Sequence, residues 1–207
     1  MCIRDSICRV HQFQLFECII VTNLDHHSII SKLLLLSFCY KIYIFKIAIL
    51  KKKLYSQVKV IEAFKANNIN IEVLNLSVST KTSKEAADAV GCNLSQIAKS
   101  IVFYEVDHKK LVQIFVSGPN RVDVDIFQKH TGLRIEKADA NFVRESTGFA
   151  IGGVAPLGHV NKPLYYLDET LTQFEEVWCA AGTPRSLFKI KTSDLLKVCE
   201  PKILQVC

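Results

Sequence analysis

Glycine and proline are missing from the first 55 of the 207 residues, although the whole chain has eight glycines and five prolines. Tight turns that depend on those residues are therefore excluded there. None of the eight cysteines forms a Cys-x-x-Cys pair, and none has a histidine at zinc-finger spacing. That excludes a structural zinc module and a dithiol redox motif. The length and apolar core of the chain argue against a disulfide framework, and reduced, mostly buried thiols are expected. Lys32, Lys41 and Lys46 break the apolar part of the N-terminal segment, so no unbroken run reaches the ~18 residues of a membrane span. The apolar block also starts late, with no small-residue cleavage site after it, which argues against a secretory signal. His26-His27 is too isolated to mark a metal site.

Bulk positive charge is missing from the remainder. Residues 1–55 carry eight Lys/Arg and three Asp/Glu, whereas residues 56–207 carry eighteen and seventeen. The net charge of +6 thus belongs mainly to the N-terminal piece. It gives no argument for nucleic-acid binding by overall charge, which leaves room only for a local basic rim. Two domains are expected: an N-terminal extension over residues 1–55 and a folded domain over residues 56–207. The extension has two readings. Its Ile-, Lys-, Phe- and Tyr-rich, turn-free composition, and the opening Met1 to Ser6, resemble translated noncoding or adapter sequence, artefactual or disordered. A membrane-associated helix is the other reading.

From Gln57 onward the pattern is that of an ordinary domain. Val58, Ile61 and Phe64 have helical spacing up to Asn67-Asn68, and Ile71 to Leu76 reads as a strand. Thr82-Ser83-Lys84-Glu85 fits a capping box opening a helix that stops at Gly91. Ile97–Val106 and Leu111–Val116 read as a hairpin, and Val122 to Gly132 holds a helix. Leu133–Ile135 is a short strand, and Asp139 caps a helix over Ala140–Glu145. Strands follow at Pro163–Leu167, Phe174–Cys179 and Leu187–Ile190, with Asp168 as a cap. The last helix, Asp194–Val198, is expected to be capped by Thr192 or Ser193. Paired strands without alternating helices predict an α+β fold with a mixed sheet.

Half of the glycines and one proline fall in Ser146–His159, between the helix and the strand that follows. Gly148 and Gly153 have the spacing of a phosphate loop, but Val154-Ala155 stands where Lys-Ser/Thr is required. Two readings remain. One is a glycine-rich turn between strands. The other is a loop that aims backbone N–H groups at an anion or a developing oxyanion. Lys99, at the start of a strand, is likewise either a solvated edge charge or a site cation. No nucleophile–base pair stands out, since Ser146, Cys179 and Ser186 all lack an activating motif.

The loop Gly148-Phe149-x-x-Gly152-Gly153-x-x-Pro156-Leu157-Gly158-His159 resembles the signature loop of the YbaK/EbsC family of aminoacyl-tRNA deacylases, relatives of the editing domain of prolyl-tRNA synthetases. Ile97 to Phe103 resembles that family's lysine strand, Val177 to Ser186 its late Ala-Gly loop, and Thr82 to Ala87 its early helix start. The resemblance covers about Tyr55 to Glu200. It implies a curved mixed sheet, partly barrel-like, with helices packed outside. It implies a cytoplasmic trans-editing hydrolase that uses no cofactor or metal and acts on the 3′ end of an aminoacyl-tRNA. Prolyl-tRNA synthetase is an implied partner, and DNA and membranes are not. Lys99, Gly152 and Gly153 take the catalytic places. Thr82, Phe149, Pro156, Gly158, His159, Ala181, Gly182 and Thr183 take the substrate-binding ones, with Thr80 to Thr82 as one wall of the cleft. Family members acting on cysteinyl-tRNA carry Ser-Gly-Gly-Lys-Arg where this chain has Ala181-Gly182-Thr183-Pro184-Arg185, and those acting on alanyl-tRNA tend to have His at the place of Thr183. A different small or short polar amino acid, on tRNA(Pro) or another tRNA, is therefore expected. A non-catalytic module binding aminoacyl-tRNA or a synthetase is the alternative.

Overall fold

The computed structural model describes residues 26–77 and 82–207. The readings placed on Met1 to Ser6, Thr80 and Lys81 lie outside those residues. The chain divides into two compact units, Met1–Leu50 and Lys51–Cys207. Helix α1 (His26–Lys65) begins in the first and ends in the second. In the first unit Tyr43, Ile44 and Phe45 are exposed. Among the described residues no helix is long and apolar enough to cross a membrane.

The second unit begins with the last turns of α1, where Val60 and Phe64, four residues apart and on one face, are fully buried. Phe64 meets Phe188 edge to face at 5.1 Å. Asn68, at φ 61, turns the chain out of the helix. The strands are β1 (Leu74–Asn75), β2 (Ala98–Glu105), β3 (Leu111–Ser117), β4 (Ile135–Lys137), β5 (Leu164–Asp168), β6 (Glu176–Ala180), β7 (Ser186–Lys191) and β8 (Lys202–Leu204). The helices are α2 (Ser83–Val90), α3 (Val124–Thr131), α4 (Ala140–Thr147) and α5 (Thr192–Cys199), with 3₁₀ turns at Leu94–Gln96 and Glu169–Gln173. One antiparallel sheet has the order β1-β7-β6, and a mixed sheet has the order β4-β2-β3-β5-β8. The β2–β3 and β2–β4 pairs are antiparallel; β3–β5 and β5–β8 are parallel. A single parallel bridge, Ile97 to Trp178, joins the two sheets. The α+β class and mixed sheet are as expected, but the strands stop short of a closed barrel.

Local chemistry explains most boundaries. The Thr82 hydroxyl accepts from Glu85 N–H while the Glu85 carboxylate accepts from Thr82 N–H, closing the expected box. Asp139 and Asp168 also cap as expected, accepting from Phe142 and Thr170. Other assignments change. The first strand shrinks to Leu74–Asn75, the part that pairs with Leu187 and Ser186. The strand near residue 174 shifts to Glu176–Ala180 because a 3₁₀ turn occupies the chain up to Gln173. Helix α5 starts at Thr192 and has no side-chain cap, since the Thr192 hydroxyl donates to the Phe174 carbonyl instead. Strand β8 has no counterpart in the sequence pattern; it exists through parallel pairing with β5.

The two faces of the mixed sheet carry separate cores. Residues Ala98 and Val102 of β2, with Phe115 of β3, belong to the larger core, which also takes Val143, Phe149, Val154 and Ala155. Phe103, Val112, Ile114 and Val116 belong to the other, with Phe127 and Val206. The glycine-rich loop therefore lies on the face of Ala98 and Val102.

Candidate active site

On that face a cavity of about 250 Å³ opens between β2, the glycine-rich loop and the start of α2. Its walls include Thr82, Ile97 to Val102, Lys137, Val143, Ile151, Gly152, Val154, Trp178 and Leu187. The described lining has two lysines, Lys99 and Lys137, and no carboxylate. Such a lining suits an anionic or carbonyl-bearing ligand.

The loop is built by two close approaches and one turn. Gly153 N–H donates to Ala150 carbonyl at 2.9 Å, and Gly152 takes φ +82 at the third position of that turn, where a side chain would be strained. A Cβ on Gly153 would lie 2.7 Å from Thr183 backbone carbons, so the loop and the β6–β7 connection touch main chain to main chain. The same connection rests on α1, since a Cβ on Gly182 would lie 2.8 Å from the Ser56 carbonyl oxygen. The α1 turns of Ser56 to Lys59 thus hold both loops in place.

Of the residues expected in the site, Lys99, Gly152 and Thr82 line the cavity. The rest are not on its walls. Phe149 and Ala181 are buried in the larger core. The Pro156 carbonyl accepts from Tyr165 Oη at 2.8 Å, and Gly158 packs on the Lys59 carbonyl. Thr183 is buried, its hydroxyl 2.7 Å from Ser186 Oγ. Gly182 is held on Ser56 and Gly153 on Thr183. In this structure these residues shape the loops around the cavity. Gly153 in particular cannot offer its N–H to an oxyanion, because Ala150 already accepts it. Among the described residues nothing accepts from Gly152 N–H.

Lys99 departs from expectation in direction. In the regular β2–β3 register it stands opposite Val116, on the same side as Ile101 and Phe103. Its Nζ donates to the Asn120 carbonyl. Burial and the nearby Arg121 charge lower its pKa, against a smaller pull upward from Asp168. Lys99 lines the cavity, and its ammonium is taken up by the Asn120 carbonyl. The neighbouring Ser100 also lines the cavity. It alternates onto the face of Ala98 and Val102, opposite Phe115, and its Oγ is buried with no hydrogen-bond partner among the described residues. A buried hydroxyl without a partner is costly unless a ligand or water completes it. Sequence reasoning passed over Ser100. The signal available was the period-2 rule, by which adjacent residues of a strand cannot both face one cleft.

His159 is not placed as an acid or base for the cavity. It packs against Phe149 and its Nδ1 lies 3.2 Å from Tyr165 Oη. Its Nε2 is buried with no hydrogen-bond partner among the described residues. Burial, then the Lys59 charge, pushes its pKa down to about 4. A folded pKa below the unfolded value means stability present above about pH 6.5 and lost as pH falls toward 4. The expected loss is about 3 kcal/mol between those limits. Urea unfolding at pH 7 and 4.5 checks it: His159→Gln should remove most of the difference. An unchanged pH slope would show that His159 does not titrate as its surroundings require.

The thiols are equally inert. Cys179 and Cys199 are free and buried, and burial pushes the Cys199 pKa up to about 12. Cys179 is raised by the same cause. Neither is a thiolate at neutral pH. Among the described residues no three His, Cys, Asp or Glu side chains converge as metal ligands would.

A model of the aminoacyl-tRNA editing domain matches residues 78–198, more than half of the chain and all of the cavity's loops. The chain belongs to the aminoacyl-tRNA editing domain family. Within that family it is YbaK-like, as the four motifs indicate. It is 31% identical over 137 residues to the uncharacterized protein YwhH of Bacillus subtilis (strain 168), covering 66% of this chain and 87% of that one. A crystal structure of a candidate trans-editing enzyme for prolyl tRNA synthetase is 40% identical, with a TM-score of 0.69, over 73% of this chain and 96% of that one. The hypothetical protein APE2540, 24% identical, shares the fold, with a TM-score of 0.66 over 72% of this chain and 98% of that one. The editing-domain region and the cavity coincide: Thr82, Lys99, Ser100 and Gly152 all fall inside residues 78–198.

Proposed function

We propose that the protein is a trans-editing deacylase that hydrolyses the ester of a mischarged aminoacyl-tRNA carrying a small amino acid, with tRNA(Pro) a candidate carrier. The reading is carried by one observation: a hydroxyl, Ser100 Oγ, and an amide, Gly152 N–H, that have no partner among the described residues belong to residues lining one cavity whose described walls hold no carboxylate. An aminoacyl ester is already activated, so a site that orients it and stabilises the developing oxyanion needs no protein nucleophile. Gly152 N–H is assigned to the carbonyl oxygen. Ser100 is assigned to the amino group or the attacking water. Water adds to the carbonyl carbon, the ester C–O bond breaks and the ribose oxygen leaves with a proton, the vicinal ribose hydroxyl assisting. Lys99 is assigned the anchoring of the substrate's phosphate or carbonyl end, which requires its ammonium to exchange the Asn120 carbonyl for the ligand. The relation of the 40% identical structure to prolyl tRNA synthetase supports that synthetase as a partner, and such work would place the protein in the cytoplasm.

Incubating the full chain in excess with Ala-, Cys-, Ser- and Thr-charged tRNAs tests the reading. Release of one or two of these amino acids is expected, with weak discrimination between side chains that differ by a methylene. If none is released while the tRNA still binds, the non-catalytic alternative takes its place.

A further inference from the structure

A second hollow lies outside the cavity described above. A groove of about 410 Å³ is lined by Lys109, Lys110, Leu111, Ser146, Asn161, Lys162 and Leu164. Three of these are exposed lysines and none is acidic. No ion pair within 4 Å engages any of the three among the described residues. Three lysines around one hollow with no acidic residue in its lining favour a polyanion.

The backbone contributes a second observation. Lys109 sits in the left-handed region at φ 53, in the tight connection from β2 to β3. Glycine or asparagine would hold that position with less strain. A lysine holds that position at a conformational cost of about 1 kcal/mol.

The groove is coupled to the cavity through shared elements. Val143 of α4 lines the cavity and Ser146, one turn on, lines the groove. The Asn161 N–H donates to the Ser146 carbonyl at 2.9 Å, closing the glycine-rich loop at the groove's edge. Along β2, Ser100 at the cavity is four residues from Tyr104, which pairs with Leu111 at the groove. That is about 13 Å of strand plus one strand-to-strand step of about 5 Å. An extended RNA strand of about five nucleotides spans such a distance.

We propose that the groove of Lys109, Lys110 and Lys162 binds the phosphodiester backbone of the RNA whose 3′ end enters the cavity. This rests on the reading of the substrate as an aminoacyl-tRNA. RNA is favoured over an anionic membrane because the groove is concave and continuous with the elements that build the cavity.

Unacylated tRNA is the probe. Its affinity for the full chain is measured from 50 to 300 mM salt, for the wild type, for the triple variant Lys109→Ala, Lys110→Ala, Lys162→Ala, and for a control triple Lys191→Ala, Lys197→Ala, Lys202→Ala on exposed lysines elsewhere. Each lost phosphate contact should make the log–log salt slope shallower by about 0.7–0.9. The groove variant is therefore expected to lose about 2 in slope and at least about tenfold in affinity at 100 mM salt. The control should keep both. Hydrolysis of a 3′-aminoacyl-adenosine, too short to reach the groove, should be unchanged in the groove variant. Equal losses in both triples, no loss in the groove triple, or binding to anionic vesicles with none to tRNA would each overturn the groove. If the wild type hydrolyses no charged tRNA but the groove variant alone loses the salt slope, the hydrolase reading fails and the groove stands.

Discussion

Gly153→Ala is expected to destabilise the protein by about 3 kcal/mol and to abolish deacylation with it. The added Cβ would meet the Thr183 carbonyl carbon and Cα at 2.7 Å and its nitrogen at 2.9 Å. These are main-chain atoms of a connection that is itself clamped, because Gly182 rests on Ser56 and the Thr183 and Ser186 hydroxyls are tied together. Nothing nearby is the loose end of a side chain, so either the glycine-rich loop or the β6–β7 connection must move. The glycine-rich loop borders the cavity through Ile151, Gly152 and Val154, and a shift of a few tenths of an ångström there would carry Gly152 N–H out of line. Gly91→Ala is the natural comparison. Gly91 has φ +66 but open space around its missing Cβ, so the cost there is only the left-handed backbone, about 1 kcal/mol. Thermal melts of the two variants side by side separate close approach from backbone strain. Equal, small shifts would mean that the two loops do not touch as described.

The second large effect comes from β2. Ser100→Ala should lower kcat by about 100-fold with little change in stability, because it removes a hydroxyl that has no partner in the empty site. Lys99→Met keeps the stem and deletes the charge. If Lys99 leaves Asn120 to hold the substrate, KM for charged tRNA should rise about tenfold or more, and Lys99→Arg should restore part of it. If Lys99 does no more than fasten the Asn120 carbonyl, Lys99→Met should lower the melting temperature and leave KM alone. Activity of Ser100→Ala within twofold of wild type would remove the hydroxyl from the mechanism. The two variants probe opposite faces of one strand, so their effects need not move together.

Much of the frame was readable in advance. The Thr82 and Glu85 box needs only spacing and hydrogen-bonding chemistry, as do the Asp139 cap and the Gly91 and Gly132 stops. The β2–β3 hairpin follows from two apolar runs around four polar residues. What failed were features with distant partners. β8 exists because Lys202 to Leu204 find β5. α5 starts at Thr192 because that hydroxyl is drawn to Phe174, eighteen residues away in sequence.

The candidate site divides the same way. Sequence alone determined that a glycine-rich loop follows α4, that a lysine opens β2, and that these belong to an aminoacyl-tRNA editing domain. It determined too that Lys99 and Ser100 must face opposite sides, because a strand has period two. Only the tertiary structure decided which side the loop covers, and that the Lys99 ammonium is taken up by the Asn120 carbonyl. Only it decided that Gly153 gives its amide to Ala150 while Gly152 keeps its own. The physical reason is that spacing sets which groups lie on a common face, whereas the partner of each polar group depends on what the fold packs against that face.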